Sequence, residues 1–268
     1  MKLDLFELRL RPKPWVRWGL GISSVVTVLI IWQWLTFGTE AESRIVSPVT
    51  LPSPGEVLGS VGSLFSERAL LKSIAATLER VLLGFGLAIL VGVPLGILAG
   101  AWRGLEAFFA PITLFGRNIP VAALIPLTIF WFKTGEEQKV MFIFIATVPF
   151  VFGSAVQAVI EVHDRYVETA LTLGANRAQV LRKVLVPLSL PSIYHSMRIL
   201  FGLAFGYIML AEVIDAGHGL GHLISMSQRR GPNEHIYVIL IVIGLIAYAI
   251  DRLLYVVEVG LFPYRTEE

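Results

Sequence analysis

The chain has 268 residues, 55% of them apolar and only 16% charged, against about 25% charged in an ordinary soluble domain. Its mean hydropathy is +0.73, so lipid rather than water must solvate most of it. A net charge of +2 gives no basis for a nucleic-acid partner, and the absence of cysteine excludes disulfides and thiolate metal sites.

A helix needs about 20 apolar residues to cross the hydrocarbon core. The first such run is Gly19–Phe37, preceded by the basic residues Lys2, Arg9, Arg11, Lys13 and Arg17. A cleaved signal peptide would have an apolar run of only about 7–15 residues and a small-residue cleavage site. Here the run ends in Trp32, Trp34 and Phe37, which suit an interfacial belt. Further runs at Val81–Trp102, Phe108–Phe132, Val140–Ile160, Leu190–Ile214 and Ile236–Val257 make six spans. Ser73–Arg80 can extend the second outward. Pro94, Pro120, Pro126 and Pro149 fall inside spans, where neighbouring helices can satisfy the freed backbone. Gly92/Gly96 and Gly202/Gly206 are small-xxx-small pairs that favour close packing within one subunit over a dimer seam.

Basic residues set the orientation. The N-terminal cluster and Arg165, Arg177, Arg182 and Lys183 mark the cytoplasmic side, against Arg44, Arg68, Lys72, Lys133, Lys139, Arg229 and Arg230 opposite. Residues 1–18 then form a cytoplasmic segment, 19–258 a single six-span domain and 259–268 a cytoplasmic tail.

In the outer loop from Gly38 to Lys72, Ser53, Pro54 and Glu56 form a capping-box signature. Val57, Leu58, Val61, Leu64 and Phe65 then predict a short amphipathic helix, lying on the membrane face or plugging the rim of the bundle. The segment Asp215–His235 carries His218 and His222, but interleaved glycines read as a tight turn, and no metal site is expected.

The inner loop, 161–189, predicts two short helices. Asp164 can cap the first, whose stripe is Tyr166, Val167, Ala170, Leu171 and Gly174. Gly174 can end it in the left-handed conformation. Asn176, with Gln179, can cap the second, and Pro187 would stop it before the fifth span.

Glu168-Thr169-Ala170, three residues, Gly174, nine residues, then Val184-Leu185-Val186-Pro187 resembles the EAA loop of ATP-binding-cassette importer permeases. Thr169, Val184 and Val186 depart conservatively from that pattern. Leu51-Pro52-Ser53-Pro54, Arg80–Gly100, Ile125-Pro126-Leu127, Trp131-Phe132, Ala211-Glu212 and Gly219-Leu220-Gly221 are similar to the nitrate/sulfonate/taurine/bicarbonate branch. Arg117-Asn118-Ile119-Pro120 and Phe132-Lys133-Thr134-Gly135 depart from its Arg-Pro-x-Pro and Phe-Gly-x-Gly. The resemblance implies an all-α membrane permease in the bacterial inner membrane, acting as a homodimer. Its implied partners are two ATPase subunits carrying ATP and Mg in the cytoplasm and a solute-binding protein outside. Glu168, Ala170 and Gly174 would dock the ATPase; Tyr166, Val167 and Leu171 are added from the stripe. Independently, no lysine follows a glycine, so the chain lacks a phosphate loop, and no catalytic residues or bound cofactor are expected.

Ionisable residues inside spans are functional candidates. Arg117 with Asn118 would attract an anion. Arg198 and Glu212 lie roughly 20 Å apart along one helix and cannot pair there. Glu212 suits a gate or a structural anchor, and internal salt bridges remain an alternative for all three. Asp251 and Arg252 can neutralise each other or reach the interface. The expected function is an ATP-driven importer permease for a small oxyanion or organosulfonate, with nitrate, bicarbonate, taurine, alkanesulfonate and neutral pyrimidine-like solutes open. An ion-gradient carrier is the alternative, though the two halves show no repeat. A membrane enzyme has no motif to support it.

Overall fold

The computed structural model describes residues 13–38, 44–67, 69–214, 216–230 and 232–265. Lys2, Arg9 and Arg11 of the basic segment, Arg68, Asp215 and the last three residues of the tail lie outside the described residues. The described chain is helical, without strands.

Helix α1 (Pro14–Leu35) begins before the expected Gly19, with proline in the first helical turn, where no N–H is needed. It is apolar all round and buries nothing within the chain, as suits a helix solvated by lipid. Only its end is tied down. Trp32 Nε1 donates to the Pro52 carbonyl at 2.9 Å, and its ring meets Tyr237 at 6.3 Å between centroids.

The outer loop holds two short helices, α2 (Pro54–Gly59) and α3 (Val61–Glu67), where one was expected. Ser53 and Glu56 form the full capping box, but the helix ends at Ser60. Gly55, Gly59 and Gly62 weaken helical continuity there. Val57 and Leu64 are almost wholly buried in the main core, while Leu58 and Phe65 face outward. The pair therefore plugs the rim. Bonds from Asn233 to the Val49 carbonyl and from Tyr237 to the Thr50 carbonyl, with Ser63 Oγ against His235 Nε2, fasten this loop to the last helix.

The centre of the bundle is α4 (Leu70–Ala101) packed along α7 (Glu136–Ile160). Close approach depends on small residues. A β-carbon added at Gly96 would stand 2.6 Å from both Ala155 Cβ and the Phe152 carbonyl, and one at Gly92 would stand 2.8 Å from Val151. The Gly92/Gly96 pair is thus an intrachain seam. Gly202/Gly206 is not, because both face open space within this chain, which corrects the expectation for that pair.

The third span is also corrected. Phe108–Phe132 is not one helix but α5 (Arg103–Asn118) and α6 (Val121–Phe132), bent by 102°. Pro120 forces the residue before it out of the helical region, and Ile119 sits at φ −67°, ψ 127°. Among the described residues five helices are long and apolar enough to cross a membrane, or six if the bent pair is one span. The remaining long helices are α10 (Val186–Ile214) and α12 (Asn233–Leu261), with α11 (Leu220–Arg230) between them where only a turn was expected.

Candidate functional site

The inner loop folds from local signals. Helix α8 (Asp164–Thr172) starts after His163, so Asp164 lies in the first turn rather than capping it. Gly174 adopts φ +82°. Its N–H donates to the Leu171 carbonyl at 2.9 Å, and that of Ala175 to Ala170 at 3.0 Å. This is a Schellman closure, which favours glycine at the left-handed position. Asn176 accepts from the Gln179 N–H at 3.0 Å and donates its own N–H to the Gln179 side chain at 2.8 Å, starting α9 (Arg177–Val180).

Pro187 does not stop that helix. Leu181–Leu185 form a π turn in which the Val186 N–H reaches the Leu181 carbonyl, and the chain runs on into α10 as one 38-residue helical stretch. The wider turn absorbs the donor that proline lacks.

All six predicted docking residues lie on this elbow. None of α8 is buried. Val167 and Ala170 are half-buried, while Tyr166, Glu168, Leu171 and Gly174 are exposed. Arg165 stacks on Tyr166, with its guanidinium carbon 5.0 Å from the ring centroid. Leu173, which sequence reasoning missed, is 83% exposed at the tip. A short helix outside the spans that offers apolar side chains beside a fixed turn is suited to a protein partner.

The intramembrane charges divide into three groups. Glu212 is fully buried within the chain. Its carboxylate meets Arg80 Nη1 at 2.7 Å, accepts from the Thr77 hydroxyl at 2.9 Å and accepts from the Gly221 N–H at 3.0 Å. Arg80 also pairs with Glu136 and donates to the His218 carbonyl. Four elements, α4, α7, α10 and the turn before α11, are held at one point. Arg80, Thr77 and Glu136 were missed.

Arg198 of α10 pairs with Asp251 at 2.6 Å and Glu258 at 3.1 Å on α12, and stacks on Tyr255. Asp251 therefore neutralises Arg198 rather than its neighbour Arg252, which stacks on Tyr255 instead. His195 Nδ1 lies 3.0 Å from Glu258, and the Tyr194 hydroxyl donates to the Leu254 carbonyl. All three guanidinium nitrogens of Arg198 thus donate to carboxylates of α12.

Arg117 and Asn118 are both exposed at the end of α5. Asn118 turns back to the Leu114 carbonyl at 2.7 Å. Arg117 reaches only main-chain carbonyls of α7. The pathway candidates are thus not brought together.

A family model described as binding-protein-dependent transport system inner membrane component matches residues 92–261. The taurine transport system permease protein TauC of Escherichia coli is 31% identical over 253 residues, covering 92% of this chain and 90% of that protein. The bicarbonate transport system permease CmpB of Synechococcus elongatus is 28% identical over 87% of this chain and 85% of its own. The nitrate import permease NrtB of Synechocystis is 28% identical over 90% and 88%. Among solved structures, an inward-facing MetNI methionine ABC transporter superposes with a TM-score of 0.66 at 21% identity, over 73% of this chain and 98% of that one. A bacterial alginate ABC transporter bound to its periplasmic protein gives 0.55 at 15%, over 94% and 96%. These two share the fold.

Proposed function

The chain belongs to the binding-protein-dependent transport system inner membrane component family, and from that premise we propose how it works. It is a multi-pass ABC importer permease. Two copies enclose a pathway for a small oxyanion-bearing solute of the sulfonate, bicarbonate or nitrate kind, the chemistry named for its relatives. The termini and the elbow face the bacterial cytoplasm, and a solute-binding protein docks on the opposite face. Family membership sets aside the gradient-driven carrier.

The observation that carries the coupling role is the elbow itself. It joins an amphipathic helix with no buried residue to the fifth span through a fixed left-handed turn and a continuous helix. A displacement of α8 by a closing ATPase pair is therefore delivered to α10 without a slack linker. ATP and Mg belong to that partner, because the chain has no glycine followed by lysine to cradle phosphate.

The test is Gly174→Val in the complete complex with its ATPase and binding protein. A side chain in the left-handed region costs roughly 1–2 kcal/mol, and branching at Cβ adds to it. Hydrolysis stimulated by the loaded binding protein is expected to fall about tenfold or more. Unchanged assembly together with unchanged stimulated hydrolysis would contradict the reading.

A further inference from the structure

The arginines on the spans differ in the partners they have found. Arg80 lies against Glu212 and Glu136, and Arg198 against Asp251 and Glu258. Arg117 has no carboxylate within ion-pair distance among the described residues. Its Nε donates to the Pro149 carbonyl at 3.2 Å, at the upper end of the usual range, and its Nη2 to the Phe150 carbonyl at 3.4 Å, beyond it. The guanidinium carbon sits 5.7 Å from the Phe150 ring centroid. A β-carbon at Gly153 would collide with the guanidinium, so that glycine keeps its notch open.

Depth makes the arrangement unusual. Arg117 is the penultimate residue of the 16-residue α5, about 21 Å along its axis. Pro149 falls near the middle of the 25-residue α7. The cation therefore lies at mid-depth whichever face is cytoplasmic. An unpaired cation on a span at that level is costly, and two main-chain carbonyls carry no charge to balance it. A planar guanidinium fork is matched instead by an oxyanion, which accepts two parallel charge-assisted bonds.

We infer that Arg117 is the solute-contacting cation of the pathway, resting on the α7 carbonyls at Pro149 and Phe150 between turnovers and leaving them for the oxyanion of the passing solute. This rests on the oxyanion reading above. Gly153 provides the resting notch.

The experiment reconstitutes the whole transporter in liposomes and measures ATP-driven uptake of taurine, nitrate and bicarbonate. Arg117→Gln keeps a donor for the α7 carbonyls and removes the charge; Arg117→Lys keeps the charge; Arg117→Met removes both. Size-exclusion chromatography reports assembly. Uptake of the anion carried by the wild type is expected to fall about 10- to 100-fold in the Gln and Met variants and to be retained only in part by Lys, which keeps the charge but not the fork. Wild-type uptake by Gln would overturn the inference while leaving the permease reading intact. Failure of Gln or Met to assemble, with Lys assembling, would assign Arg117 to holding the kinked helix and would also overturn it. If the wild type carries none of the three anions, the oxyanion reading falls and the inference with it.

Discussion

Removing Arg80 should destabilise the bundle far more than neutralising its partner. Glu212 is 0% exposed and Arg80 3%, so neither charge has water to fall back on. Arg80→Met strands the Glu212 carboxylate with only the Thr77 hydroxyl and the Gly221 N–H. Breaking a buried pair in this way costs about 3–5 kcal/mol. Glu212→Gln is milder. Its side-chain oxygen can still accept one of those bonds, and Arg80 keeps Glu136, whose side chain is 68% exposed and can supply charge from the surface. A cost of about 1–3 kcal/mol follows for that change. The double variant should recover part of the Arg80→Met loss, because no buried charge is left unpaired and Glu136 is 68% exposed. Thermal denaturation of the detergent-solubilised complex provides the assay. At roughly 2–4 °C per kcal/mol for a chain of this size, Arg80→Met should lower the midpoint by about 6–20 °C. Equal losses for the two single variants, adding fully in the double, would refute the reasoning.

Two further outcomes follow from the packing. The Arg44 guanidinium and the Ser53 N–H hold the Glu56 carboxyl at about 2, below its usual 4.5. A depressed carboxylate stabilises the fold above its unfolded value and loses that contribution as pH falls through the folded one. Protease resistance of the outer loop should therefore decline between about pH 4.5 and 2, and Glu56→Gln should remove this dependence; an unchanged profile would contradict it. Gly96→Ala should cost about 1–3 kcal/mol by overpacking, because its β-carbon would meet Ala155 and the Phe152 carbonyl, whereas Gly202→Ala should leave the midpoint of the solubilised single chain unchanged. Equal effects at the two glycines would count against the α4–α7 seam.

What was legible in the sequence is local. Ser53 with Glu56 and Asn176 with Gln179 announce helix starts within four residues, and Gly174 announces the turn between α8 and α9. Long-range pairings left no such trace. Arg80 and Glu212 are 132 positions apart, and Asp251 passes over its neighbour Arg252 to reach Arg198 on another helix. Prolines misled in both directions. Pro120 read as tolerated inside a span and instead turns the chain by 102°, while Pro187 read as a stop and is carried through by a π turn. Identical spacing also hid different surroundings: Gly92/Gly96 meets α7, and Gly202/Gly206 faces open space. The elbow was visible because capping is a near-neighbour interaction, and the pathway was not, because it depends on which helices face each other.

Coupling through the elbow is tested most directly by cross-linking. The chain has no cysteine, so a single one can be placed cleanly. In the assembled transporter, Leu173→Cys should cross-link to the ATPase subunit, with a yield that changes on ATP binding. Leu58→Cys, also highly exposed on the outer loop, should not. A cross-link from Leu58→Cys to the ATPase, or none from Leu173→Cys in an assembled complex, would contradict the account.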